Sequence, residues 1–150
     1  MELAGCSREN QAWSALRSFA LEKFPRAGVT FADVHNATIF AVTGDHESSA
    51  RLATELRAGI GTQWAADVAE PIARGFEAFA CDDWSGAIDT MSPVIGQLVR
   101  IGGSRAQRDL VENTLLAAYL RAGRNDEAKA LLALRTDRHP TVPLRERVAP

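Results

Sequence analysis

Apolar residues recur every three or four positions along most of this chain, the spacing that places them on one face of an α-helix. The pattern is clearest between residues 64 and 79, where one continuous apolar stripe comprises Trp64, Val68, Ile72, Gly75, Phe76 and Phe79. No stretch of the sequence alternates apolar and polar residues as a half-buried strand does. The pattern predicts an all-α fold of about seven helices.

Capping residues and helix breakers divide this pattern into segments. The first three expected helices run from about Ser7 to Phe24, from the N-cap Thr30 to Gly44, and from the N-cap Asp45 to a stop at Gly59–Gly61. The next four run from Trp64 to Phe79, from the N-cap Asp83 to Gly102, from Ser104 to Gly123, and from the N-cap Asn125 to Pro140. Pro71 and Pro93 lie inside two of them. Each proline either kinks its helix or marks the end of a short first piece, because proline removes a backbone hydrogen bond. The expected inward face of the third helix carries Ala50, Ala53, Leu56 and Ile60.

The helices pair as helix, short turn, helix, and aligning the turns gives a weak internal repeat. The aligned residues near the end of each first helix and early in each second helix are Phe40, Ala78 and Tyr119, then Ser49, Ala87 and Ala128. Their spacings are 38 and 41 residues, longer than the roughly 34 residues of a tetratricopeptide repeat. The small, aromatic, small and proline positions of that repeat match Gly75, Tyr119, Ala128 and Pro140. We therefore expect antiparallel helix pairs stacked as a short tetratricopeptide-like right-handed superhelix, one domain over residues 1–140, and a loose tail over 141–150.

Composition and charge exclude several classes of function. Of the 150 residues, 46% are hydrophobic and 24% charged, which is ordinary for a globular domain, and the net charge of −2 argues against nucleic-acid binding. The first nine residues lack the features of a signal peptide, and polar residues interrupt the most apolar region, 88–101. We therefore expect a cytoplasmic protein that does not span a membrane. Neither the two cysteines, Cys6 and Cys81, nor the three histidines show metal-ligand spacing, so we expect no disulfide, metal or cofactor.

Two strings of residues resemble the tetratricopeptide repeat protein 38 family. They are Phe-Ala-Asp-Val-His at 31–35 and Arg-Ile-Gly-Gly-Ser-Arg-Ala-Gln-Arg-Asp at 100–109, with weaker matches at 75–79, 117–124 and 128–132. The resemblance covers most of this chain and the C-terminal part of the family's longer proteins. Arg105 departs from the family, whose members usually carry histidine there. The resemblance implies a helical-repeat fold and no particular activity.

No catalytic motif stands out, so the predicted function is a non-catalytic helical-repeat module that binds a protein or peptide on its concave face. A homodimer is a further expectation. In a repeat stack the first helix of each pair lines the concave surface. The candidate partner-binding residues are Asp33, His35, Asp67, Arg74, Arg100, Ser104, Arg108, Asp109 and Glu112. The alternative for these charges is intramolecular: Arg108 pairs with Glu112 four residues on, and Arg100 or Arg108 binds Asp33 across the stack.

A second function remains open near Gly102-Gly103-Ser104, where two glycines before a helix offer backbone N–H groups to an anion. The rival to the module is a small-molecule or anion site at Gly102–Arg108 with His35. In an enzymatic version His35, oriented by Asp33 or Asp109, activates Ser104. The simpler interpretation is a helix end, a turn and a capping box completed by Gln107, with His35 as a hydrogen-bonded inter-helix residue. A deep cavity favours the rival, whereas a shallow groove or an apolar patch on a terminal helix favours the module.

Overall fold

The computed structural model describes residues 10–138, and within that range it contains helices and no strand. Seven α-helices are present in these residues: α1 Asn10–Lys23, α2 Thr30–Thr43, α3 His46–Arg57, α4 Glu70–Ala80, α5 Trp84–Met91, α6 Arg105–Arg121 and α7 Asn125–Arg138. A π-helical segment, Ala65–Ala69, leads into α4, and a 3-10 helix, Ser92–Ile101, follows α5. The predicted all-α class is confirmed. The expected helix start at Ser7, the stop at Pro140 and the tail 141–150 lie outside the described residues.

Helix α4 is the centre of the packing. It contacts α2, α3, α5 and α6, while α1 packs on α2 and α7 packs on α6. Its apolar stripe is almost completely buried, with Ile72 and Phe76 at 0% exposure and Phe79 at 1%. Ile72, Phe76 and Phe79 are therefore core residues, as the helical spacing predicts. None of the helices in residues 10–138 is both long enough and apolar enough to cross a lipid bilayer.

Three turns with the same hydrogen bonds join α2 to α3, α4 to α5 and α6 to α7. Each contains one residue with a positive φ: 69° at Gly44, 62° at Asp82 and 73° at Gly123. The next N–H donates to a carbonyl near the end of the first helix: Asp45 to Phe40 at 2.9 Å, Asp83 to Ala78 at 2.9 Å and Arg124 to Tyr119 at 2.8 Å. This is a common way to end a helix. The accepting residues Phe40, Ala78 and Tyr119 are the ones aligned in the sequence repeat. The repeat spacings of 38 and 41 residues are therefore the numbers of residues between equivalent turns.

Pro71 and Pro93 each lie where one helix type changes to another. Each proline therefore marks the end of a short first piece and not a kink within one helix. Pro71 is at the start of α4, directly after the π-helical segment, in which the Ala69 N–H donates to Trp64 O at 3.2 Å. A proline in the first turn costs little because its missing N–H has no partner there in any helix. Pro93 has the same position at the start of the 3-10 helix.

Two local predictions are wrong. The N-cap of α2 is Val29 and not Thr30, whose hydroxyl instead forms a hydrogen bond with the Thr62 hydroxyl. The buried face of α3 is formed by Ser48, Leu52 and Leu56, whereas Ala50 is exposed and Ile60, 38% exposed, follows the helix. Asp45 does cap α3, accepting a hydrogen bond from Ser48 N–H at 3.0 Å. Alanine is compatible with either face of a helix, so it did not fix the orientation of α3.

Helices α4 and α5 approach each other closely at Gly75. A Cβ atom on Gly75 would lie 2.3 Å from Met91 Cγ and 2.7 Å from Met91 Cε, and Met91 is fully buried. Real side chains do not tolerate such distances, so Met91 would have to move within a close-packed core. The absence of a side chain at Gly75 is therefore a packing requirement.

We expect Gly75→Ala to lower the free energy of unfolding by about 1–3 kcal/mol, because overpacking outweighs the better helix propensity of alanine. Urea denaturation measures this change. The matched control is Gly96→Ala in the 3-10 helix, where a Cβ meets nothing within 4 Å. That variant should be neutral or stabilised by up to about 1 kcal/mol. Equal stability of the two variants would contradict the packing role of Gly75.

Candidate functional site

The predicted binding residues do not form one groove. Arg108, Asp109 and Glu112 line a depression of about 190 Å³ between the 3-10 helix, α6 and α7, together with Arg105 and Arg135. We name it the arginine pocket. Arg74 lines a separate depression of about 460 Å³ between α2, α3 and α4. The remaining candidates line neither of these two depressions: Asp33, His35, Asp67, Arg100 and Ser104.

The charges of the arginine pocket are largely engaged with one another. Arg135 Nε lies 3.1 Å from Glu112 Oε2, and Arg135 Nη2 lies 3.8 Å from Asp109 Oδ1. Arg135 also donates to the side-chain oxygen of Asn113, and its side chain is only 17% exposed. Arg108 donates to Gly103 O at 2.6 Å. The structure thus supports an intramolecular role for this set. The sequence missed Arg135, because nothing in its spacing from α6 indicates the contact.

Helix-end geometry accounts for Gly102, Gly103 and Ser104. Ser104 N–H donates to Gln107 Oε1 at 2.7 Å within the expected capping box, and Gly102 N–H donates to Val99 O at 3.3 Å. Gly103 has a φ of 76°, and a Cβ there would lie 2.6 Å from the ring of Phe31. Two N–H groups of the loop are already engaged, so fewer donors remain for an anion than the sequence suggested.

His35 is held against Phe31, one turn earlier in α2, so its hydrogen bond lies within one helix and not between helices as expected. Its Nδ1 lies 2.8 Å from Phe31 O, and the two rings are 4.6 Å apart with an interplanar angle of 52°. Arg100 stacks over the ring of Trp64 at 4.1 Å from its centroid. The Nδ1 contact is to a backbone oxygen and not to the carboxylate of Asp33 or Asp109, so the catalytic arrangement considered from the sequence is not formed.

Asp33 does not face an open groove, and the expectation that Arg100 or Arg108 binds it is wrong. Its side chain is 1% exposed and accepts a hydrogen bond from Gly28 N–H at 3.2 Å. Burial raises the pKa of the Asp33 carboxyl from 3.8 to about 6, against the opposing effect of backbone hydrogen bonds from Gly28 and Val29. The charge of Glu55 raises this pKa further. Asp33 therefore ties the α1–α2 loop to α2 and has no access to a partner.

The larger depression has alanines from three helices: Ala37 of α2, Ala50 and Ala53 of α3, and Ala73 of α4. We name it the alanine groove. It exists because these side chains are too short to fill the space between the helices. The sequence analysis placed Ala50 and Ala53 in the core, and this is why the groove was missed.

Each end of the alanine groove carries charged groups. At one end Glu70, whose side chain is 8% exposed, accepts hydrogen bonds from Arg57 at 2.6 and 3.1 Å and lies 4.0 Å from Arg74. Two cations share one carboxylate there, which leaves an excess positive charge. At the other end His46 contacts Glu77. Ser49 also lines the groove, and its Oγ is buried with no hydrogen-bond partner among residues 10–138.

The terminal helices expose apolar side chains. On α1, Leu16 is 44% and Phe19 is 53% exposed, and on α7 Leu134 is 52% exposed. Such side chains, on the first and last of the described helices, are available for contact with another molecule. Comparisons of this chain with models of protein families, with curated proteins and with solved structures find no match.

The buried Asp33 generates a prediction about pH. The folded state holds the Asp33 proton more tightly than the unfolded chain, so this residue makes the protein less stable as pH rises from about 4 to about 6. Above that window the full effect is roughly 2–3 kcal/mol. Asparagine at this position does not titrate. The stability of Asp33→Asn relative to the wild type should therefore increase across the window and be constant above it.

Urea denaturation at several pH values tests this expectation. The matched control is Asp67→Asn, at an exposed position of the π-helical segment, which should not reproduce the trend. A stability difference between Asp33→Asn and wild type that does not change with pH would show that Asp33 is not held in the protonated form.

Proposed function

We propose that this chain is a non-catalytic helical-repeat module that binds a protein or peptide partner. The equivalence of the three turns supports this proposal, because it makes α2–α3, α4–α5 and α6–α7 three versions of one helix pair. Contacts between α2 and α4 and between α4 and α6 place the first helices of the pairs side by side. A short tetratricopeptide-like right-handed stack, related to the tetratricopeptide repeat protein 38 family, fits these contacts.

The observation that carries the proposal is the alanine groove. Its alanines belong to three different helices, so the groove is shaped by the packing of the pairs and not by a loop. An apolar floor with charged ends suits a peptide segment that has small or aliphatic side chains. We propose this groove as the binding surface, in place of the mixed-charge concave face expected from the sequence.

Charge further defines the partner. Arg57 and Arg74 share the carboxylate of Glu70, so this end of the groove attracts a negative group. Arginine binds a carboxylate through parallel hydrogen bonds, which fixes the orientation as well as the affinity of a ligand. The proposed partner is therefore a peptide that combines short apolar side chains with an acidic side chain or a free C-terminus.

The rival anion site at Gly102–Arg108 has less support. Arg108 and Arg135 are engaged within the chain, His35 does not line the arginine pocket, and Ser104 N–H is used by the capping box. Homodimerisation remains a prediction, motivated by the exposed Leu16 and Phe19 of α1. Light scattering over a concentration series decides it, since a dimer requires the mean mass to rise with concentration.

Filling the groove tests the proposal. A displayed library of random peptides is selected against the full chain, and the recovered peptides are measured by fluorescence anisotropy. We expect peptides that contain a carboxylate. Ala53→Phe should weaken their binding by about tenfold or more, equivalent to about 1.4 kcal/mol, because the ring occupies the groove. Arg74→Ala should weaken it less and reduce its dependence on salt.

The matched control is Ala130→Phe, which adds the same side chain at an exposed position of α7. Circular dichroism and urea denaturation establish that each variant is folded. Recovery of no peptide, or of peptides that bind wild type and Ala53→Phe equally, would exclude the alanine groove as the binding surface.

A further inference from the structure

Three side chains with metal-binding atoms meet where α3 begins and α4 ends. His46 is the first residue of α3, Glu77 lies in the last turn of α4, and Cys81 follows that helix. One ligand atom of each lies within 4.8 Å of the other two. Glu77 and Cys81 are four residues apart, which places them on one side of the helix end, and the packing of α3 on α4 brings His46 to them.

The donor types suit a zinc ion. Zinc accepts imidazole nitrogen, carboxylate oxygen and cysteine sulfur at about 2.0–2.3 Å, usually in a tetrahedron, and sites with three protein ligands keep a fourth position open. The ligand atoms of such a tetrahedron lie roughly 3.3–3.8 Å apart, as follows from those bond lengths. The present separations, none of them above 4.8 Å, exceed this range by about 1.5 Å at most. Cys81 is exposed, and the His46 side chain is 66% exposed, so both have room to rotate.

The hydrogen bonding of Glu77 is a second observation at this position. One of its carboxylate oxygens contacts His46 Nδ1, but the other, Oε2, is buried and has no hydrogen-bond partner in the described part of the chain. A buried carboxylate oxygen without a partner is costly, and native proteins rarely leave one. A cation bound by this carboxylate would offset that cost. The charges of Asp82 and Asp83, which act on the Cys81 thiol, add to the negative potential at this position.

We propose that His46, Glu77 and Cys81 bind one Zn²⁺ ion, with the fourth position open to water or to a partner. This differs from the expectation of no metal site, which rested on sequence spacing. The three ligands come from two helices and occur in no recognised ligand pattern, so only the packing brings them together. The ion would link the start of α3 to the end of α4 at one end of the alanine groove, since His46 and Glu77 also line it. The inference does not depend on peptide binding.

Cobalt provides a spectroscopic test, because Co²⁺ substitutes for Zn²⁺ and thiolate coordination gives an intense near-ultraviolet band. Co²⁺ is titrated into the full chain with its thiols reduced, and Zn²⁺ is then added as a competitor. We expect saturation at one equivalent, a thiolate band, and displacement by zinc. Cys81→Ser should remove the band, and His46→Ala should weaken cobalt binding by about tenfold or more. Circular dichroism of each variant excludes loss of the fold as the cause of a lost band.

Two control variants change the same residue types elsewhere in the chain. Cys6→Ser and His139→Ala should leave the band and the affinity unchanged. Zinc should also raise the melting temperature of the wild type and not that of Cys81→Ser, because the bound ion joins two helices. A titration without a thiolate band, or a band lost in Cys6→Ser and kept in Cys81→Ser, would overturn the proposed site.

Discussion

The contact between Gly75 and Met91 is the constraint on which the rest of this structure depends. It sets how closely α4 and α5 approach, and α4 is also the helix that α2, α3 and α6 contact. A displacement of α4 at this crossing would alter the packing of three other helices at once. The segment that leads into α4 is also compatible with this packing. The π-helical segment widens the backbone before α4, and Pro71 follows where no N–H is required.

The sequence was most informative where a local interaction determines structure. The caps at Asp45 and Asp83 and the glycines at 44 and 123 were placed correctly, because each acts on backbone within a few residues. It was least informative where the outcome depends on residues far apart. Asp33 resembles any first-turn acidic residue of a helix until the loop before it folds over the carboxylate. Similarly, Arg135 becomes the partner of Glu112 only after α7 has packed on α6.

The contrast between local and long-range interactions also applies to the predicted charged surface and the alanine groove. The charged residues expected to recognise a partner are mostly used within the chain, where Arg135 and Gly103 satisfy them. The alanine groove instead has open volume, an unpaired serine hydroxyl and an excess positive charge at one end. Charged residues are easy to recognise in a sequence, and for that reason they were chosen as candidate partner-binding residues. Shape that arises from short side chains on three helices leaves almost no trace in a single sequence.

The three turns are equivalent, but the segments between successive pairs are not. A π-helical segment connects α3 to α4, whereas a 3-10 helix connects α5 to α6. The chain therefore does not repeat one kind of connection between successive pairs. A tandem duplication of the α4–α5 pair would present the new copy with α5 where it requires α3. Duplication of this helix pair would therefore not by itself lengthen the fold, because the added copy would require a new interface.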